Sequence, residues 1–270
     1  MKIDSLEVQK MLHPIKTRLL RVKRITELSP SMRRITLEGD DLAGFISASF
    51  DDHVKLIVPE GPGEAPNMPQ LEPTGLVFAE DRPKPAMRDY TPRRYDAATN
   101  ELDIDFVLHH QGPATDWAHH AAPGHTLGIA GPRGSFVVPT AFDWHLLIGD
   151  ETALPAIARR LEELPAAAKA IVVVQLTSET AKIDLTSRCQ LDVHWIVENT
   201  NAEGRGALET TVRGLKLPEQ GEGYIWAAGE YNDIKAVRQY LVDERGIDKK
   251  RIRASSYWRK SAPNTHKNFD

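Results

Sequence analysis

The stretch "WHLLIGDETALPAIARRLEEL", from Trp144 to Leu164, changes its periodicity partway through. Trp144 to Asp150 is a short apolar run of strand length, and from Thr152 onward the apolar spacing is helical. The alternation continues downstream. "AIVVVQL" (170–176), "LDVHWIV" (191–197) and "GYIWAAG" (223–229) are further apolar runs, and helical segments follow most of them. The clearest helix is "YNDIKAVRQYLVDERG" (231–246), with Ile234, Val237 and Leu241 on one stripe and Gly246 as its stop. "RIRASSYW" (251–258) closes the series. Strands alternating with helices predict a parallel sheet covered on both faces, which binds ligands at the carboxyl ends of its strands.

Upstream the period is two. In "ELDIDFVLH" (101–109), Leu102, Ile104, Phe106 and Leu108 fall on one face and Glu101, Asp103, Asp105 and Val107 on the other. That pattern predicts a half-buried strand. "MRRITLEG" (32–39), "DHVKLIVP" (52–59) and "HTLGIAG" (125–131) alternate in the same way. Short strands at such spacing predict an antiparallel barrel or sandwich. The Pro- and Gly-rich stretch "EGPGEAPNMPQLEPTG" (60–75) is expected on the surface as a loop. The fold expected is therefore a β-barrel domain (14–141) followed by an α/β domain (142–270), with the boundary near Phe142.

Composition narrows the function. The 270 residues are 41% hydrophobic and 27% charged, an ordinary globular mixture with material for a large core. A net charge of -4 supplies no global field for nucleic acid or membrane. The N-terminal stretch has no long apolar run, and nothing approaches the roughly 18 apolar residues of a membrane span, so a cytoplasmic location is expected. The single cysteine, Cys189, excludes an internal disulfide and any multi-cysteine metal site. The pairs His109-His110 and His119-His120 do not make a metal site either, because adjacent residues diverge on a strand or a helix. Of these four, His109 is a candidate cofactor contact and the rest are surface residues.

Two stretches of the barrel carry chemistry. "RDYTPRRYD" (88–96) gathers Arg88, Tyr90, Thr91 and Arg93 within a few residues. A flavin dinucleotide needs that combination: an aromatic partner for its ring, a small donor for N5 and an arginine fork for its pyrophosphate. In "HHQGPATDWAHHA" (109–121), Gly112, Pro113, Ala114 and Thr115 read as a turn entering a helix, whose free N–H groups suit a phosphate. Each stretch alone reads better as an exposed hairpin shoulder or a capped helix; together in one barrel they favour FAD.

The α/β half is less explicit. "LLIGDETALPAI" offers Gly149, Asp150 and Thr152 at the strand-to-helix turn, without the GxGxxG fingerprint, and Thr152 is the expected cap. "WAAGE" ends the fourth run with Ala228, Gly229 and Glu230, where Gly229 would let a flat ring approach the backbone. From Arg245 to Lys267 there are eight Lys or Arg and one acid, Asp248. That tail is a solvated basic face or a cradle for an anionic small molecule; nucleic acid is disfavoured without an aromatic platform.

Taken in order, "DHVKLIVP", "RDYTPRRYD", "ELDIDFVLH", "GPATDWA", "GPRGSF", "GDETALPAI", "GYIWAAGE" and "SYWRK" resemble the siderophore-interacting protein family, the flavin-dependent ferric-siderophore reductases of bacteria. The resemblance implies a ferredoxin-reductase-like architecture, with a Greek-key FAD-binding barrel and a nicotinamide-binding α/β domain. It implies FAD contacts and catalytic positions at Tyr90 and Thr91 beside Arg88. Further FAD contacts would fall on Asp105, Phe106, Val107, His109, Ala114 and Thr115. "GDETALPAI" would replace the missing glycine fingerprint, and Ala228 stands where many reductases of the wider superfamily carry a cysteine.

A flavin converts the two-electron hydride of NADPH or NADH into the single electrons that Fe(III) accepts. Reduction loosens a chelate built from hard oxygen donors. The ferric siderophore, when anionic, calls for clustered cations, for which Lys55, Arg133, Arg259 and Lys260 are the candidates. The donor is NADPH, NADH or a reduced ferredoxin; Lys182 and Arg205 lie where a 2′-phosphate would be held. A monomer is expected. Two other classes stay open at this point: a flavin reductase without iron-chelate specificity, and a siderophore-binding module without redox activity.

Overall fold

In the computed structural model, residues 6–73, 75–108, 112–197, 206–260 and 267–269 are described. The chain forms two compact units, Glu7–Val138 and a second that contains Pro139–Asp270.

The first unit contains strands β1 (Gln9–Leu12), β2 (Thr17–Ser29), β3 (Met32–Glu38), β4 (Val54–Val58), β5 (Gln70–Glu72) and β6 (Gly75–Val77). Strands β7 (Ala86–Tyr90), β8 (Pro92–Asp96) and β9 (Glu101–Val107) follow, then helix α1 (Pro113–His120), β10 (Thr126–Ala130) and β11 (Gly134–Val137). Seven of the strands make one antiparallel sheet in the order β7-β4-β10-β2-β3-β9-β8. Its two edge strands, β7 and β8, are separated in sequence by Thr91 alone. Two virtual Cα bonds span at most about 7.6 Å, so the sheet must curl until its edges nearly meet at that residue. Proline is tolerated at the start of β8 because that strand is an edge. The interior is filled by Leu20, Val22, Ile35, Leu37, Val54, Leu56, Leu102, Ile104 and Phe106, closed by Trp117 of α1.

Two expectations about this unit are corrected. Strand β9 is buried along its whole length, on both faces. The outer face stays dry because basic side chains cover its acids: Lys23 and Arg24 on Glu101, Arg94 on Asp103, and Arg34 on Asp105. A bulge between Pro92 and Arg94 lets two consecutive arginines reach that face, with Arg93 Nε 3.9 Å from Asp105. The proline-rich stretch 60–75 is not a surface loop throughout. Pro66, Asn67 and Pro69 are buried, and Met68 packs over Gly128, where an added Cβ would lie 2.4 Å from its sulfur. Strands β5 and β6 form a small hairpin at its end.

The second unit contains β12 (Trp144–Asp150), α2 (Leu154–Glu163), β13 (Lys169–Gln175), β14 (Gln190–Ile196), α3 (Ala207–Gly214), β15 (Gly223–Glu230), α4 (Tyr231–Gln239), β16 (Ile252–Trp258) and β17 (Lys267–Asn268). The sheet order is β14-β13-β12-β15-β16-β17, parallel except for β17. Strands β12, β13 and β15 are central and almost continuously buried, whereas edge strand β14 is half-open. The order reverses between β12 and β15, so their carboxyl ends frame the switch-point crevice of a doubly wound sheet. Gly246, at φ +71°, ends the segment that continues α4, as its sequence position predicts.

Candidate functional site

Strand register places the barrel motif. Val54 lies opposite Tyr90, Lys55 opposite Asp89 and Leu56 opposite Arg88. Val54 and Leu56 belong to the core, so Arg88 and Tyr90 share the core-facing side while Lys55 and Asp89 face the other way. The Tyr90 ring packs on Phe106 at 4.7 Å between centroids, and Phe106 meets Trp117 of α1 at 5.7 Å. Helix α1 lies against β4, β7 and β9. Thr115 in its first turn hydrogen-bonds the Tyr90 phenol, and its hydroxyl lies 3.4 Å from the Val107 carbonyl. A chain of contacts thus links Phe106, Tyr90, Thr115 and Val107, with the Arg88 charge close enough to act on Tyr90. Burial pushes the Tyr90 hydroxyl up to about 12, against the Thr115 hydrogen bond and the Arg88 charge. The ring therefore stays a neutral phenol at ordinary pH.

Uncommitted donors surround this ring. The Arg88 guanidinium donates to the Met87 carbonyl at 2.8 Å and has no carboxylate within 4 Å among the described residues, unlike Arg34 and Arg94 nearby. Thr91 is buried, and its hydroxyl makes no hydrogen bond among the described residues. The indole nitrogen of Trp117 is buried without a hydrogen-bond partner among the described residues. A guanidinium, a small hydroxyl and an N–H next to a neutral aromatic face suit the pyrophosphate, ring edge and ring face of a flavin dinucleotide. The residues present fit FAD. Asp105 stands apart: its carboxylate points to the outer face and accepts two bonds from Arg34, at 2.7 and 2.9 Å, which leaves only its main chain for a cofactor. Ala114 is buried in the first turn of α1, and His109 lies outside the described residues.

At the switch point, Gly149 of β12 lies opposite Ala228 of β15, which brings the two motifs of this unit together. The side chains there are engaged with one another. Asp150 accepts from Thr152 N at 2.9 Å, from the Thr152 hydroxyl, from Glu230 N at 2.9 Å and from Trp258 Nε1 at 2.8 Å. Asp150, not Thr152, is thus the cap of the turn that precedes α2. Glu230 is buried and caps α4 through Asn232 N and Asp233 N. Burial and the Glu230 charge raise the Asp233 carboxyl above its usual range, opposed by Lys260.

The glycines are needed for packing. A Cβ on Gly149 would lie 2.4 Å from Ala153 Cβ and 2.5 Å from the Ala228 carbonyl. On Gly229 it would meet Asp150 Oδ2 at 2.6 Å, so the carboxylate fills the space expected for a flat ring. What this crevice offers a dinucleotide is main chain and shape. Trp258, which binds Asp150 there, lies in "SYWRK", but that motif did not indicate its role.

The four candidate cations are in different states. Lys55 donates to Asp89 at 2.7 Å, and Arg133 is exposed in the turn before β11. In the second unit the Arg259 guanidinium sits 4.8 Å from the Tyr231 ring centroid, and Lys260 N donates to Glu230 at 3.1 Å. Lys182 is ion-paired with Glu179, and Arg205 lies outside the described residues. His119 and His120 bond to the Leu108 and Asp116 carbonyls, and no group of three or more metal-ligating side chains occurs among the described residues. No helix among the described residues is long and apolar enough to cross a membrane.

A curled antiparallel barrel with uncommitted donors at an aromatic face, followed by a doubly wound sheet, defines a flavin- and nicotinamide-binding architecture. Residues 21–136 match the siderophore-interacting FAD-binding domain, and residues 142–261 match the siderophore-interacting protein model. The chain belongs to the siderophore-interacting protein family. It is 34% identical over 245 residues to the ferric vibriobactin reductase of Vibrio cholerae, covering 90% of this chain and 89% of that protein. It is 34% identical over 253 residues to the NADPH-dependent ferric-chelate reductase of Escherichia coli, covering 93% and 96%. A siderophore utilization protein from T. fusca superposes with a TM-score of 0.86 at 35% identity, covering 96% of this chain and 98% of that one. A ferredoxin reductase of carbazole 1,9a-dioxygenase shares the fold, with a TM-score of 0.66 at 15% identity over 89% and 69%.

Proposed function

We propose that this protein is a ferric-siderophore reductase that passes electrons from NADPH through FAD to an iron chelate. The observation that carries the proposal is the near full-length likeness to two named ferric reductases, joined to an Arg88–Tyr90–Thr91 cluster whose guanidinium has no carboxylate partner among the described residues. FAD, when bound, accepts hydride and gives up electrons singly. The protein's own residues hold and orient it. Tyr90 supplies the ring face, Arg88 the pyrophosphate fork, Thr91 a hydroxyl for the ring edge, and α1, from Ala114 and Thr115, the phosphate-facing amides. The main chain of Asp105, Phe106 and Val107, beside Tyr90, would supply further contacts to the cofactor.

The ends of β12 and β15 receive the nicotinamide, through the backbone at Gly149 and Ala228, with Asp150, Thr152 and Glu230, and the close approach of Gly229 to Asp150, fixing that backbone. Lys55, Arg133, Arg259 and Lys260 attract the chelate, which is held without a protein ligand to the iron. The protein works as a cytoplasmic monomer, with NADPH favoured over NADH and over a ferredoxin as donor. The purified protein, assayed anaerobically with each donor and a ferric chelate in the presence of an Fe(II)-trapping dye, should form Fe(II) fastest with NADPH. A colourless protein, or one that oxidises NADPH at the same rate without a ferric chelate, would contradict the proposal.

A further inference from the structure

Resting on that reading, we infer that Asp89 sets the charge of the chelate this protein accepts, by holding Lys55 as a neutral pair. Lys55 and Asp89 face each other across β4 and β7 in strict register, and the ammonium donates to Asp89 Oδ1 at 2.7 Å. Both side chains are open to solvent, at 49% and 26% exposure, so the pair lies where a solute reaches it. The third strand of the same region, β10, places Ala130 opposite Lys55 on its other side, and Arg133 follows three residues later. Lys55, Asp89 and Arg133 therefore share one corner of the barrel. Asp89 leaves a single net positive charge there, where Lys55 and Arg133 alone would present two.

The neighbouring acid does not do this. Asp52 is buried and accepts from Ser47, the Ser49 amide and Ser135, with no cation bonded to it among the described residues. Asp89 is also separate from the flavin cluster. By strand alternation its side chain projects from the face opposite Arg88 and Tyr90, so removing its charge leaves the cofactor-facing residues in place. A highly anionic chelate approaching Lys55 meets the Asp89 carboxylate and must displace it. A chelate of low net charge meets a neutral pair with hydrogen-bonding capacity. Asp89 thereby biases the corner toward neutral hydroxamate-type chelates and against tris-catecholates.

The test uses the FAD-loaded protein and gallium(III) complexes, which bind without being reduced. One is a trianionic tris-catecholate and the other a neutral tris-hydroxamate, titrated calorimetrically at low salt. Asp89→Asn should tighten the anionic complex about fivefold and leave the neutral one within about twofold. The gain should disappear near about 0.5 M salt, where exposed charges are screened. Asp89→Ser, which removes the same charge with a smaller side chain, should give the same selectivity. Equal shifts for both complexes, or no shift in either variant, would overturn the role of Asp89 while leaving the reductase reading intact. A wild-type protein that binds neither complex and releases no Fe(II) from their ferric counterparts would overturn both.

Discussion

The indole nitrogen of Trp258 donates to Asp150 Oδ2 at 2.8 Å, tying the end of β16 to the end of β12. The same oxygen accepts the Glu230 amide from β15, so one carboxylate joins three parallel strand ends at the switch point. Its removal leaves several donors without a partner. Asp150→Ala should therefore destabilise the protein by about 2–4 kcal/mol, and Trp258→Phe by about 1 kcal/mol. Denaturant unfolding measures both. Flavin occupancy, set by the barrel, should be unchanged in either variant.

Arg88 is the guanidinium of the barrel motif without a carboxylate partner among the described residues. If it holds the pyrophosphate, Arg88→Ala should weaken FAD retention by about 1.5–3 kcal/mol, the worth of a charge-assisted hydrogen bond. The ratio of flavin to protein absorbance after dialysis reads this out. Unchanged occupancy would remove Arg88 from the cofactor site.

His145 is fully buried in β12, and its Nε2 has no hydrogen-bond partner among the described residues. Burial, with the nearby Arg160 charge, lowers its pKa from 6.5 to about 3. A histidine held neutral in the fold stabilises fully above its unfolded pKa, and this stability is lost as pH falls from 6.5 toward the folded value. Between pH 7.5 and 5.5 this group should cost about 1.4 kcal/mol. His145→Gln should flatten the stability profile by that amount, whatever it does to stability at neutral pH.

We propose that the boundary expected near Phe142 separates a barrel that binds flavin by itself. Residues 1–141 expressed alone should retain flavin and lose all NADPH-driven reduction of it. A fragment that folds, by circular dichroism, without binding FAD would contradict this division.

Most of the fold was legible because its strands and helices carry clean periods. Strand β2, the longest, was not, since Arg18 occupies an inward position that alternation assigns to an apolar residue. It is buried there because its guanidinium donates to the Asp41 and Gly131 carbonyls and lies 5.0 Å from the Phe45 ring centroid. Short edge strands β7 and β8 were hidden for a different reason: "RDYTPRRYD" reads as one hairpin shoulder, and only the curl of the sheet puts its halves at opposite edges. At the site, Arg88, Tyr90 and Thr115 were readable as residue types suited to a flavin. The pairing of Lys55 with Asp89 and the closure of Asp150 by Trp258 were not, because both depend on register between strands far apart in sequence.

The central claim is that electrons flow from NADPH through bound flavin to a ferric chelate. Anaerobic stopped-flow absorbance of the purified protein, with NADPH in the first mix and a ferric siderophore in the second, tests it most directly. Bleaching of the flavin band by NADPH, followed by its return with stoichiometric Fe(II), is the predicted result. A flavin that NADPH bleaches but that the ferric siderophore fails to reoxidise would contradict the account.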